Sequence, residues 1–260
     1  MGLSMNSADL EKLVRERLHV FYKRRLDKLT GLKLQETLKK KNPYLFRAIG
    51  VVKASEIVES LLNAYMSSSE ETIFGEAFFE PIARVASKGF SAGGTGIDVV
   101  IETEDEYTAV SVKSGPHWGN ASQMAKLKQD FETQRSIFTN RKIKKQFRAL
   151  LVHCYGRTCG EPGTTRMYSI RSGQAFWEQI TGDPDFYLNL IRAMDDYPAI
   201  HRVSYDKARS EAVNRFEKEF LIRFSTKSGA IDWDELVRFN SGKDKYRSRD
   251  ERKKDNSAGT

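Results

Sequence analysis

Asp98 and Lys113 are the residues of this sequence best placed to do chemistry together. Asp98 lies in the β-branched run Ile97-Asp-Val-Val-Ile-Glu102, and Lys113 closes a second run, Tyr107-Thr-Ala-Val-Ser-Val-Lys113. An acidic turn, Thr103 to Glu106, joins them as a hairpin. Side chains alternate along a strand, so Asp98, Val100 and Glu102 share one face, and Ser111 and Lys113 share one face of the partner strand. An acid and an ammonium entering otherwise apolar strands cost free energy unless they pair or hold an ion. The pair is therefore either a plain ion pair at a sheet edge or part of a site that binds a cation and steadies negative charge.

The elements that must position this pair follow from periodicity. Leu10 to Leu29 has apolar residues at helical spacing, Gly31 breaks it, and a short helix follows over Leu32 to Lys40. Lys41-Asn42-Pro43 marks a turn, since the residue before Pro avoids helical geometry. Ala54 to Tyr65 and Ser69 to Ala86 are two further helices. After the Gly-rich Ser91 to Gly96, which lacks a phosphate-loop ending and leads into a strand, come the hairpin and a helix from Ser122 to Phe138. Strands at Phe147 to Tyr155 and Met167 to Ile170 precede helices over 173–180, 186–193, 205–224 and 232–239. The division expected is a helical N-terminal region, 1–66, for dimerisation or DNA contact; a core, 67–170; a helical C-terminal region, 171–240; and a basic flexible tail, 241–260.

With 260 residues, 39% of them hydrophobic, the chain has ample core material. It has no apolar run of bilayer length, Met1 to Leu10 lacks a basic-then-apolar leader, and two cysteines make no disulfide framework, all of which fit a cytoplasmic protein. The net charge of +8 is unevenly spread. Residues 11–53 hold 13 Lys+Arg against 4 Asp+Glu, residues 56–106 hold 2 against 11, and residues 126–148 hold 8 against 2. A polyanionic partner explains the basic stretches and leaves the acidic block to be explained.

The order of helix, Asp-bearing strand, hairpin, strand ending in Lys, and helix resembles the PD-(D/E)xK nuclease core. Here it is written Gly75-Glu76-Ala-Phe-Phe-Glu80, Gly96-Ile97-Asp98 and Ser111-Val112-Lys113-Ser114-Gly115. The string Gly94-Thr-Gly-Ile-Asp98, then Val110-Ser-Val-Lys-Ser-Gly-Pro116 and Trp118-Gly-Asn-Ala-Ser-Gln123, is similar to type II restriction endonucleases of the PmeII kind. The likeness is strongest over Ile73 to Gln123. It implies an α/β (α+β) fold with a restriction-endonuclease-like core: a mixed central sheet flanked by helices, with helical additions at both ends. It also implies Mg²⁺ as cofactor, double-stranded DNA as substrate, a homodimer on a short symmetric site and a companion DNA methyltransferase.

Phosphodiester hydrolysis needs an activated water, neutralised charge at phosphorus and a stabilised leaving oxygen, which carboxylate-held Mg²⁺ and a lysine supply. In this resemblance Asp98 is a metal ligand, Lys113 is the catalytic lysine, and the main-chain carbonyl of Val112 is a further ligand. Ser111 stands where the motif usually has Asp or Glu, so the site lacks a negative charge. Glu76, on the preceding helix, is the candidate replacement, against the alternative of an exposed helix carboxylate. Glu102, about 13 Å from Asp98 along an extended strand, is too far away to share an ion.

Ser114, His117, Trp118, Asn120, Gln123 and Lys126 follow the lysine and are candidate DNA contacts. Asn120 and Gln123 also fit a simple helix cap, and Trp118 a packing anchor. His153, Cys154, Cys159 and His201 lack the paired spacing of a zinc site. The reading that leads is a Mg²⁺-dependent type II restriction endonuclease. A structure-specific repair or mobile-element nuclease on the same core, and a non-cutting DNA-binding module whose site decayed at Ser111, remain alternatives.

Overall fold

A computed structural model gives the structure of residues 5–90, 96–141, 144–164 and 166–248. The chain forms two compact units: Met1–Arg24 with Glu71–Ala199, and Arg25–Glu70 with Ile200–Thr260. Compactness thus groups the chain by contact in space, with the first helix divided between units, where composition groups it by neighbouring sequence. Of the expected tail, residues 249–260 lie outside the described residues, as do Ser91 to Thr95 of the Gly-rich stretch.

The first unit carries a four-stranded mixed sheet in the order β1 (Val99–Glu102), β2 (Glu106–Lys113), β3 (Gln146–His153) and β4 (Ser169–Ser172). β1 pairs antiparallel with β2, Val99 opposite Val110, and β2, β3 and β4 run parallel. Two-residue alternation sorts the strands between two cores. Val99, Val110, Val112, Leu150 and Val152 face a cluster containing Leu10, Val14 and Leu18 of α1 (Ser7–Gly31), and Phe78, Ile82 and Trp177. Val100, Ala109 and Leu151 face Leu127, Phe131 and Phe138 of α6 (Ala121–Asn140). Burying each such aliphatic side chain contributes about 1.5–3 kcal/mol before the entropy of ordering the chain is set against it. The α/β fold of a restriction-endonuclease-like core, a mixed sheet flanked by helices, is the one observed.

Between these come α2 (Leu34–Leu38), α3 (Pro43–Ala48) and α4 (Ala54–Phe74). Asn42 caps α3, its side chain accepting from the Leu45 N–H at 3.2 Å, so the expected turn at Pro43 is a helix start. The helices expected over 54–65 and 69–86 are joined: α4 runs into a π-helical turn, Gly75–Phe79, and then α5 (Glu80–Ala86). After the sheet come α7 (Gln174–Thr181), α8 (Phe186–Arg192), α9 (Tyr197–Phe224) and α10 (Trp233–Ser241). The second unit is helical, its core built from Leu29, Leu34, Ile57, Leu61, Phe216, Phe220, Phe224 and Phe239.

Candidate active site

Asp98 sits immediately before β1, at the end of the sheet where β2 finishes. Ile97 packs in the core under α6 and Val99 in the opposite core, so the chain crosses between faces at Asp98 instead of alternating through it. The Asp98 N–H donates to the Val110 carbonyl at 3.1 Å, which fixes the backbone. Its Oδ2 accepts from the Val112 N–H at 2.6 Å and from the Ser111 hydroxyl at 3.2 Å, and lies 3.5 Å from Lys113 Nζ. Gly96 holds the approach. Its φ of +73° suits glycine, and a Cβ there would run into the buried Asp130 carboxylate.

Lys113 closes β2 and is only partly exposed, its ammonium 5.3 Å from the Trp118 ring centre. Asp98, Ser111 and Lys113 are therefore brought together. Ser111 is fully buried, and its hydroxyl orients the Asp98 carboxylate while adding no charge.

Of the two readings of Glu76, its surroundings match the exposed helix carboxylate, and those of Glu80 differ. Glu76 is exposed and ion-paired with Arg24. Glu80 is half-buried, and its carboxyl pKa is raised, first by burial and then by the Asp98 charge, against the opposing pull of Arg84 and Lys113. Arg84 donates to Glu80 Oε1 at 3.0 Å. Glu80 is thus the helix acid that lies in the field of Asp98 and Lys113. A π-helical turn lies between them, and its i→i+5 bonding changes the phase of Glu80 relative to Glu76 from that of a continuous α-helix. Pro81, which supplies no N–H to an α-helical ladder, was the available signal for it. Within that turn Gly75 lies against Ser114, where a Cβ would make ordinary contact at 3.5 Å with the Ser114 Cβ.

Cys154 is buried beside the same charges. Burial, Asp98 and Glu80 all raise its thiol pKa, so it stays protonated and is a core thiol. Among the described residues, no group of three or more His, Cys, Asp and Glu is arranged to hold a metal. His153 Nδ1 lies 2.8 Å from the Ser172 hydroxyl, Cys159 is exposed, and His201 belongs to the second unit. Asp98 and Glu80 are nonetheless a fitting donor set for a hard cation. Mg²⁺ is usually held by one or two carboxylates, with waters and substrate phosphate completing the shell.

Several other candidates have structural partners. Asn120 caps α6 in a capping box, with Asn120 Oδ1 accepting from the Gln123 N–H at 3.0 Å and Gln123 Oε1 from the Asn120 N–H at 2.9 Å. Lys126 is bound to Asp130. Glu102 pairs with Lys145 at 2.7 Å, away from Asp98. Trp118 packs against the α6 core as well as facing Lys113, His117 is exposed, and the Ser114 hydroxyl is buried with no hydrogen-bond partner among the described residues.

The profile of the family described as Type II restriction endonuclease EcoO109I matches residues 8–199. The chain belongs to this family. The match to this restriction endonuclease family covers the sheet, Asp98, Lys113 and both helix acids, and stops inside α9. A search of curated proteins found no match. Type II restriction endonucleases act on DNA, and no helix among the described residues is long and apolar enough to cross a membrane.

Proposed function

We propose that this member of the EcoO109I family is a Mg²⁺-dependent endonuclease. It cuts both strands of double-stranded DNA at a short symmetric sequence, leaving 5′-phosphate and 3′-hydroxyl ends. The observation that carries the reading is the meeting of Asp98 and Lys113 at 3.5 Å within the residues the family profile covers. Asp98 Oδ1 is the atom left for a cation, because Oδ2 is held by Val112 and Ser111. The Val112 carbonyl is a further oxygen ligand. Glu80 supplies the charge that Ser111 lacks, in the place first sought at Glu76. A divalent ion bound there supplies Lewis acidity and lowers the pKa of its water. Lys113 stabilises negative charge growing on the scissile phosphate and orients the attacking water. His117 and Trp118 contact the DNA beside it, whereas Ser114, with its hydroxyl buried, and Asn120, Gln123 and Lys126 serve the local fold.

A symmetric site calls for a two-fold protein, so the working form is a homodimer, in a cytoplasm where a companion methyltransferase protects host DNA. Digestion of a DNA of known sequence with Mg²⁺, followed by mapping of the ends, tests the reading. Discrete fragments with a common sequence at every end are expected. A smear, or degradation from ends, overturns it in favour of a structure-reading nuclease. Tight binding with no nick at any Mg²⁺ concentration favours a decayed site at Ser111.

A further inference from the structure

The parallel strands β2, β3 and β4 all finish at the edge that holds Lys113, and open α/β sheets bind their ligands outside the carboxyl ends of such strands. The segments leaving β2, β3 and β4 are locked to one another there. The Cys154 N–H donates to the Lys113 carbonyl at 2.9 Å, and the Gly173 N–H to the His153 carbonyl at 3.0 Å. Gly156, with φ +98°, is clamped: a Cβ on it would lie 3.2 Å from Pro116, and a Cβ on Gly173 would lie 2.5 Å from the Gly156 carbonyl oxygen. The residue that leaves this clamp is Arg157.

Farther along, the loop between β3 and β4 is tied internally. Gly160 and Ile170 exchange backbone hydrogen bonds at 3.0 and 2.7 Å. Arg166 lies against Gly160 and donates to the Tyr168 carbonyl at 3.1 Å, and Arg171 pairs with the Glu161 carboxylate. That pairing, above all its hydrogen bond, holds the Glu161 carboxyl below its ordinary pKa. Arg166 and Arg171 are therefore committed to the loop. Arg157 is exposed and has no carboxylate or carbonyl partner among the described residues.

An unpaired guanidinium on a clamped backbone, next to the loop that follows the catalytic lysine, is suited to directional recognition. A phosphate contact tolerates a mobile tether, but a bidentate contact to a base edge needs a fixed direction, and the guanidinium fork matches guanine O6 and N7. We propose that Arg157 is a specificity residue that reads one guanine in the recognition sequence, with the Glu161–Arg171–Arg166 ties holding its loop in place. This rests on the DNA-cleaving reading above.

The test uses duplexes bearing the mapped site, with Ca²⁺ in place of Mg²⁺ so that binding is read without cutting, and 7-deazaguanine placed at each guanine in turn. Arg157→Ala should weaken cognate binding by roughly 5- to 150-fold, the span for one bidentate base contact. It should also erase the penalty that one particular 7-deazaguanine imposes on the wild type. Arg157→Lys should not restore it, and Glu161→Gln should narrow the gap between cognate and non-cognate DNA. Equal loss on every sequence with a shallower salt dependence overturns the proposal in favour of a phosphate contact. So does unchanged binding, or a mapped site with no G·C pair. If the wild type binds no DNA, the underlying reading fails and Arg157 with it. Wild-type binding alongside an indifferent Arg157→Ala removes Arg157 alone.

Discussion

Asp98 and Lys113 stand on a strand pair, whereas Glu76 and Glu80 stand on a helix that changes pitch, and the two settings constrain side chains differently. β2 is held on both sides, by β1 and by β3, and every residue from Glu106 to Lys113 has a partner on β3. A one-residue slip would turn Val110 and Val112 out of their core, so the position of Lys113 beside Asp98 is strongly specified. The stretch from α4 to α5 has no such register. The π-helical turn at Gly75–Phe79 rephases the helix, sending Glu76 to Arg24 and Glu80 toward Asp98. In the proposed function, a pair fixed by a sheet is thus completed by an acid fixed by a helical irregularity, a common place for functional residues.

The sharpest way to break that comparison is to remove the strand pair. Asp98→Ala should abolish cleavage, and Lys113→Ala should lower kcat by roughly 10²–10³-fold, the scale for losing one preorganised charge-stabilising group. Both variants should retain DNA binding in Ca²⁺, measured by gel shift. Near-normal cutting by either takes that residue out of the mechanism. The helix acids come next. Glu80→Gln should cost more than tenfold in cleavage rate and raise the Mg²⁺ concentration needed for half-maximal rate. Glu76→Gln should change both by less than about threefold, since exposed ion pairs are worth about 0–1 kcal/mol. The reverse ranking would return the missing carboxylate to Glu76.

These placements also show what could be seen beforehand. The hairpin and its Asp98–Lys113 pairing were legible because strand alternation and an acidic turn are local signals. The start of α6 was legible because Asn120 and Gln123 stand at capping-box spacing. Helix joins were not. The expected gap between helices over 54–65 and 69–86 falls on serines, but serine costs only a few tenths of a kcal/mol in a helix interior, and Met66 beside them is buried. Similarly α9 starts at Tyr197, eight residues before the expected Tyr205, with Pro198 accommodated in its first turn. The surroundings of Glu80 could not be read, because burial of a carboxylate beside another acid is a tertiary fact. The exposure of Arg157 without a partner among the described residues could not be read either, because it depends on which neighbouring arginines find partners.

A smaller effect sharpens the strand side of the comparison. Gly96→Ala should lower stability by about 1–3 kcal/mol, from a left-handed φ and contact with Asp130. By thermal melting, that is a fall of a few degrees. Because Gly96 sets the chain's entry to Asp98, cleavage by the still-folded variant at 25 °C should fall further than its folded fraction does. Loss of activity merely in proportion to folded protein would make Gly96 structural only.

The smallest effect concerns His153, which stands opposite Lys113 on β3 and is buried, its Nε2 without a hydrogen-bond partner among the described residues. Burial, and next the nearby His117, lower its pKa from the ordinary 6.5. The folded protein therefore binds a proton at His153 less readily than the unfolded chain, and stability falls as pH drops through about 6.5 toward the depressed folded value. Glu80 has the opposite sign: its raised folded pKa makes protonation favour the native state as pH falls toward the ordinary 4.5. The groups facing His153, namely His117, Lys113 and Ser172, are left unchanged in a comparison of wild type with His153→Gln, so the difference isolates His153. The melting temperature of the wild type should fall more between pH 7.5 and pH 5.5 than that of His153→Gln. Parallel falls would show that His153 is no harder to protonate in the folded protein than in the unfolded chain, and that the sheet edge beside Lys113 is more open to water than its burial suggests.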